Sequence, residues 1–393
     1  MFDIFSTPWH VISSLLVFIA GLFLSTIICN KIKIKKKIGI LIYFWHTIFS
    51  IANFSYTKLY ISDSYMYYSS SFNSDLEFAL GTRAVIYITQ FFSLGLNLSY
   101  FGVFLVFNIF GSIGLLLFYK STRIATQDKS SKIQLLGTIL VFLPSISFWS
   151  GGLSKDSLSF LAVGMALYAA LNLKKRIWLI ALAIFIMLLV RTHVAAVMIS
   201  ALAIGTLFKA KMNILPRIAI GFFFLAITII LIPITIDYVG LESDANTQDV
   251  IEYINKRQSY YQDTGSGVDI ASMSLPMQLF TYIARPLPLE AHNFTSLLAS
   301  FDNMIMLLLI ILGGKNILKR QNNQLPGHRS FLWLYTVLIW VVLAMNTSNL
   351  GIAVRQKWMF APILIFLLIS LIDGKSNLEK PKSFFNNSNN LHT

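Results

Sequence analysis

The chain has 393 residues, 56% of them hydrophobic and 12% charged, against roughly 45–50% and 25% in soluble domains. A water-soluble core cannot absorb that much apolar side chain, so composition excludes an ordinary soluble enzyme and points to an all-α polytopic membrane protein. A net charge of +14 would suggest nucleic acid as a partner of a soluble protein. Here the placement of the charges assigns it to membrane topology, and no nucleic acid is called for.

Taken in chain order, the apolar runs predict about eleven spans, near 9–29, 38–59, 98–119, 133–150, 156–172, 177–190, 194–208, 217–236, 296–313, 330–345 and 357–372. The first run has no basic stretch before it and no small-residue cleavage signal after it, so it reads as a retained helix. Cys29 is the only cysteine, which excludes an intrachain disulfide and a multi-thiolate metal site. The 36 residues between Arg83 and Lys120 exceed one span and predict an interfacial or re-entrant helix at about 84–97. Between 177 and 208 the apolar run is interrupted only by Arg191–Thr192–His193. Each arm is about 21–24 Å long at 1.5 Å per residue, short of a hydrocarbon core of roughly 30 Å. The turn carrying Arg191 and His193 is therefore expected below the membrane surface, in a cavity. The largest loop, about 237–295, shows two amphipathic stretches, Asp249 to Tyr261 and Pro276 to Ala284. Residues 1–373 read as one transmembrane domain, and 374–393 as a polar, disordered cytoplasmic tail.

Alternation of the loops sorts the charges. One set (Lys31–Lys37, Lys120–Lys132, Lys174–Arg176, Lys209–Arg217, Lys315–Arg329 and the tail) holds 22 basic and three acidic residues, a net of +19. The other holds nine basic and 14 acidic, a net of −5. By the positive-inside rule the first set is cytoplasmic, with the N-terminus outside and the C-terminus inside. The lysine run 31–37 serves topology alone.

Ionisable residues at membrane depth are costly and mark candidate sites. Lys155 follows Gly151–Gly152–Leu153–Ser154 and opens a helix with Asp156, where free N–H groups and an ammonium suit a phosphate. A mere Lys155–Asp156 pair at the membrane edge would place the same residues there. Arg191 and His193 occupy the sunken turn. Arg285 and Glu290 flank Pro286–Leu287–Pro288, and Arg355 and Lys357 follow Asn349–Leu350–Gly351. Asp63 and Tyr67 lie in a tyrosine-rich segment that suits sugar contact, although aromatic belts are common at interfaces. No cluster of metal-binding density is evident and no cofactor is called for. Fixed cations on the outer half of a greasy domain suit a lipid-linked diphosphate. Glycosyl transfer from it needs charge stabilisation on the leaving group and a base for the attacking hydroxyl.

Pro144 to Asp156 (PSISFWSGGLSKD), Arg191–Thr–His193, Arg285–Pro–Leu–Pro–Leu–Glu290 and Asn349–Leu–Gly–Ile–Ala–Val–Arg355 resemble, in order, segments of the bacterial O-antigen and capsule repeat-unit polymerases (Wzy-type). The resemblance implies polymerisation of undecaprenyl-diphosphate-linked oligosaccharide units at the outer face of the bacterial inner membrane. It implies that Arg191, Arg285 and Arg355 handle the diphosphate, and that a flippase and a chain-length regulator act nearby. Other readings are a polyprenyl-monophosphate glycosyltransferase relying on Asp63 and a divalent metal, a glycan ligase and, from a different class, a lipid-linked oligosaccharide flippase.

Overall fold

The computed structural model describes residues 6–60, 62–207, 267–270, 272–318 and 327–372, with isolated positions between 215 and 226. Every regular element among them is helical.

Helix α1 (Pro8–Ile32) starts on Pro8, with the Thr7 hydroxyl accepting from the His10 N–H, and stops where Lys33 turns left-handed at φ 56°. The short turn sends α2 (Lys36–Leu59) back along it, and the Tyr43 hydroxyl donates to Phe18 O at 3.0 Å. After α3 (Asp63–Ser70), α4 (Thr82–Gln90) continues into a π turn at Phe91–Gly95. This unit occupies the place where the interfacial helix was expected.

The centre of the bundle is α5 (Tyr100–Thr126), with α1, α2 and α8 (Lys155–Ala170) packed around it. Small residues let α5 and α8 approach: a Cβ on Gly164 would stand 2.7 Å from Gly114 O. Such close contact is how membrane helices gain packing energy where no hydrophobic effect separates helix from lipid. A polar tie crosses the same region. His46 on α2 bonds Asn108 at 2.6 Å and Ser150 at 2.9 Å, while Asn108 donates to Thr47 at 2.9 Å.

Helices α9 (Ile177–Val190) and α10 (Thr192–Leu207) break at Arg191. The described chain resumes with α11 (Leu275–Ala284), covering the second amphipathic stretch, then α12 (Phe294–Leu318) and α13 (Arg329–Asn346). The expected helix at 249–261, the span at 217–236 apart from those isolated positions, and the tail 374–393 lie outside the described residues.

One expected span is broken and another starts late, after a helix where a loop was expected. The 133–150 run is α6 (Ser131–Ile139), a 3-10 turn at Leu140–Phe142, and α7 (Pro144–Ser150). Pro144 forces Leu143 into extended backbone, φ −61° and ψ 128°, as a residue preceding proline prefers. Of the last span, expected at 357–372, the described helix is α15 (Ala361–Leu371), which follows a 3-10 turn at Lys357–Met359 and meets at a 66° bend α14 (Leu350–Gln356), a segment expected as loop. Pro362 in the first turn of α15 supplies no backbone N–H to continue the ladder. Among the described residues six helical segments are long and apolar enough to cross a membrane, or seven with the bent pair. At 14 and 16 residues, α9 and α10 fall short of that length.

Candidate functional site

The site begins with the way α8 is started. Gly151 and Gly152 lie against α2, where a Cβ on Gly152 would sit 2.6 Å from Asn53 Oδ1 and one on Gly151 3.1 Å from Ser50 Cα. Ser50 donates to Gly151 O at 2.6 Å. Only glycine permits this approach without displacing α2. Ser154 then caps α8 by accepting the Asp156 N–H at 3.2 Å, which fixes Asp156 in the first turn.

Asp156 is 5% exposed and meets two guanidinium groups. The Arg191 Nη2 donates to Oδ1 at 2.6 Å, and the Arg355 Nε donates to Oδ2. Arg355 in turn donates through Nη2 to Asp63 at 2.9 Å. The result is a charge row, Arg191–Asp156–Arg355–Asp63, with its buried end at the α9–α10 break and its open end at Asp63, whose side chain is 50% exposed. Residues from α3, α8, α14 and the α9–α10 turn meet in it. Tyr67 on α3 lies buried within electrostatic range of all four. Burial, with the Asp63 charge adding to it, pushes its hydroxyl well above the usual tyrosine range. Asp156 therefore pairs with the two arginines across helices, which was not foreseen in a Lys155–Asp156 pair.

Arg191 was expected below the membrane surface, in a cavity. It is 8% exposed, its Nε meets no hydrogen-bond partner among the described residues, and its contact with the site runs through Asp156. The break that carries it is closed by backbone bonds: Arg191 N–H donates to Met187 O, and Arg191 O accepts from Val194 and Ala195. His193 stands in the first turn of α10 and is half-buried, as is Lys155 at the start of α8.

A second pair forms independently. Arg285 Nε donates to Glu290 Oε1 at 2.8 Å, and the Leu287 N–H donates to Oε2 at 2.8 Å. The Pro-Leu-Pro unit folds the chain so that a residue five positions on closes this ring. Burial raises the Glu290 carboxyl, but the Arg285 and Leu287 bonds and the Arg285 charge outweigh it and hold the group below the usual carboxylate range. Both residues line a cavity of about 960 Å³, with Tyr56, Trp149, His292 and Val354. The row borders a much smaller space of about 50 Å³, touched by Asp63, Asp156 and Arg355. Tyr56 and Trp149 line both, so these two aromatic side chains stand between the row and the large vestibule.

Lys357 does not reach this surface. It is 1% exposed, bonds Asn303 Oδ1 and lies 5.3 Å from the Trp358 ring. Asn303 donates to Pro286 O at 3.0 Å, and its neighbour Asp302 accepts the Ser145 N–H at 2.8 Å. Asp302 and Asn303 thus tie α12 to the Arg285 loop, to the start of α7 and to the α14–α15 bend. Sequence reasoning overlooked them, although an acid inside the 296–313 run is itself the signal of an ionisable group at depth. It also missed Tyr56 and Trp149, whose aromatic character alone does not separate them from the surrounding belt. Tyr282 on α11 was missed too. It is 3% exposed, within electrostatic range of Arg191 and Asp156, and its hydroxyl has no hydrogen-bond partner among the described residues. Among those residues no group of three or more His, Cys, Asp or Glu side chains is placed to hold a metal ion.

Comparison with protein-family models, with curated proteins and with solved structures finds no match for this chain.

Proposed function

We propose that this multi-pass membrane protein is a glycosyltransferase that joins oligosaccharide units carried on a lipid diphosphate, in the manner of the repeat-unit polymerases it resembles. The single observation that carries the reading is the meeting of Asp63, Asp156, Arg191 and Arg355 from four separate chain segments, beside a large vestibule lined by Arg285 and Glu290. In this reading the vestibule faces the periplasm, the N-terminus is outside, the C-terminus is in the cytoplasm, and the membrane is the bacterial inner membrane.

The acceptor hydroxyl attacks the anomeric carbon of the donor sugar, the bond from that carbon to the diphosphate oxygen breaks, and the lipid diphosphate leaves with the bonding pair. Arg355 and Arg285, each a planar fork, neutralise the charge that develops on the leaving group. Asp63 is the carboxylate with open access and takes the hydroxyl proton. Asp156, gripped on both oxygens, orients Arg355, and Arg191 holds Asp156 in turn. Both are positioning residues here.

A lipid-linked oligosaccharide flippase is the second reading, because the 66° bend between α14 and α15 and the buried Lys357 and Asp302 are features that transporters also use. Purified protein in detergent, given lipid-diphosphate oligosaccharide, separates the two. Longer glycan supports the transferase. Its absence, with transbilayer movement of the same lipid in vesicles, replaces it with the flippase.

A further inference from the structure

The polar vestibule has an apolar continuation. Tyr56, Tyr60, Asn293 and Thr295 also line a second cavity of about 450 Å³, bounded further by Leu59, Phe148 and Leu298. Leu298 in turn borders a third, of about 510 Å³, between Ile139–Pro144 on one side and Phe301–Ile305 on the other. The three follow one face of α12 from Thr295 to Ile305, ten steps or about 15 Å of helix. That is about half of a hydrocarbon core of roughly 30 Å.

Polarity falls along this path. The vestibule end offers Arg285, Glu290, His292 and Asn293, whereas the far end offers Ile139, Phe142, Leu298 and Phe301. Asp302 is the ionisable group on that far wall, and at 2% exposure it presents almost no polar surface. Leu59, Ile139 and Phe301 are 78%, 45% and 55% exposed, so the path opens sideways onto the space that lipid fills. The kink at Leu143–Pro144 is what separates α6 from α7 and leaves room beside α12. A charged mouth leading into an apolar, laterally open furrow fits an amphiphile with an anionic head and a long hydrocarbon tail.

We infer that this face of α12 is the track for the hydrocarbon tail of the lipid diphosphate whose head enters the vestibule, an assignment that rests on the substrate class proposed above. The tail reaches the track from the bilayer without passing through the bundle, and tail length becomes a determinant of binding. The track's surroundings distinguish it from the lipid-exposed face of α1, where Leu15, Leu16 and Phe23 meet ordinary membrane lipid.

The test is photolabelling of the full-length protein in nanodiscs with a polyprenyl diphosphate carrying a diazirine on its terminal isoprene. Label is expected in peptides containing 138–144 and 298–305, with about tenfold suppression by unlabelled polyprenyl diphosphate. Leu298→Trp, which fills the junction, and Ile139→Trp, which narrows the far end from a lipid-exposed position, should each cut that label about tenfold. Equal labelling of α1, or equal suppression by phosphatidylglycerol, overturns the track. So does unchanged labelling in a well-expressed Ile139→Trp variant, should Leu298→Trp not fold. Because the readout needs no glycosyl transfer, specific labelling with no polymer formed would leave the track standing and defeat the transferase reading. Polymer formed with label scattered over α1 would do the reverse.

Discussion

The Arg191–Asp156–Arg355–Asp63 row and the Arg285–Glu290 pair use the same two chemical groups in opposite surroundings. The pair closes on itself five residues apart, with side chains 27% and 31% exposed, so water screens it and either partner can be lost without stranding a buried charge. The row joins segments up to 292 residues apart, and its centre, Asp156, has a side chain 6% exposed. Removing one member of a buried set leaves the others uncompensated in a low dielectric. Under the proposed function, one arrangement therefore serves architecture and chemistry together, and the other serves the vestibule alone.

That contrast is breakable at its strongest point. Asp156→Ala leaves Arg191 and Arg355 facing one another, and breaking a buried pair in this way costs about 3–5 kcal/mol. Thermal unfolding of the detergent-solubilised variant should show a large drop in midpoint, with polymerisation abolished in cells lacking the native protein. An unchanged midpoint would mean that the row carries no structural weight.

Arg355→Lys comes next. An ammonium cannot span Asp156 and Asp63 as the fork of Nε and Nη2 does, and about 2–4 kcal/mol of transition-state stabilisation is at stake. Polymer formation is expected to fall by about 30- to 1000-fold with protein level near normal. Wild-type chain length from this variant would reduce Arg355 to a membrane anchor.

Arg285→Ala sharpens the comparison from the other side. Stability should move by less than about 1 kcal/mol, as for exposed ion pairs, while turnover falls through loss of a phosphate contact. A large fall in unfolding midpoint, comparable with that of Asp156→Ala, would erase the distinction between the two regions.

The smallest effect is in pH. Glu290 is held below the ordinary carboxylate range, so its pairing contributes stability that is present above the unfolded value of about 4.3 and lost as pH falls through the lower folded value. The difference in unfolding midpoint between wild type and Glu290→Gln should stay constant from pH 8 to 5 and shrink only below about pH 4. A difference that already collapses near pH 6 would show that the pair is not what holds this carboxyl.

Spans α1, α2, α5, α12 and α13 were legible because each is a long apolar run, and hydrocarbon accepts nothing else over that distance. The break at Leu143–Pro144 was not, since apolar content continues through it and only backbone geometry interrupts it, and the helix Leu350–Gln356 was not, since Arg355–Gln356–Lys357 reads as loop ahead of the last span. For the site, ionisable residues at or beside the ends of apolar runs announce themselves by cost, which brought forward Asp156, Arg191, Arg285, Glu290, Arg355 and Lys357, while its tyrosine-rich segment brought forward Asp63. Their pairing did not show in the sequence. Lys357 and Arg355 are two positions apart, yet the first is sealed against Asn303 and the second reaches Asp63 and Asp156.

By itself, then, the sequence determined that the chain is helical and suited to a membrane, and which ionisable side chains fall in or beside its apolar runs. These are consequences of composition and of local spacing, which a bilayer reads one segment at a time. Only the tertiary structure decided that Asp156 answers to two arginines from other helices. It also decided that Arg191 lies buried behind Asp156, and that α12 carries a furrow from charged to apolar surroundings. Those outcomes depend on which helices touch, and contact between helices is set by small residues such as Gly114, Gly152 and Gly164 and by the bends that prolines impose, neither of which leaves a periodic trace in the chain.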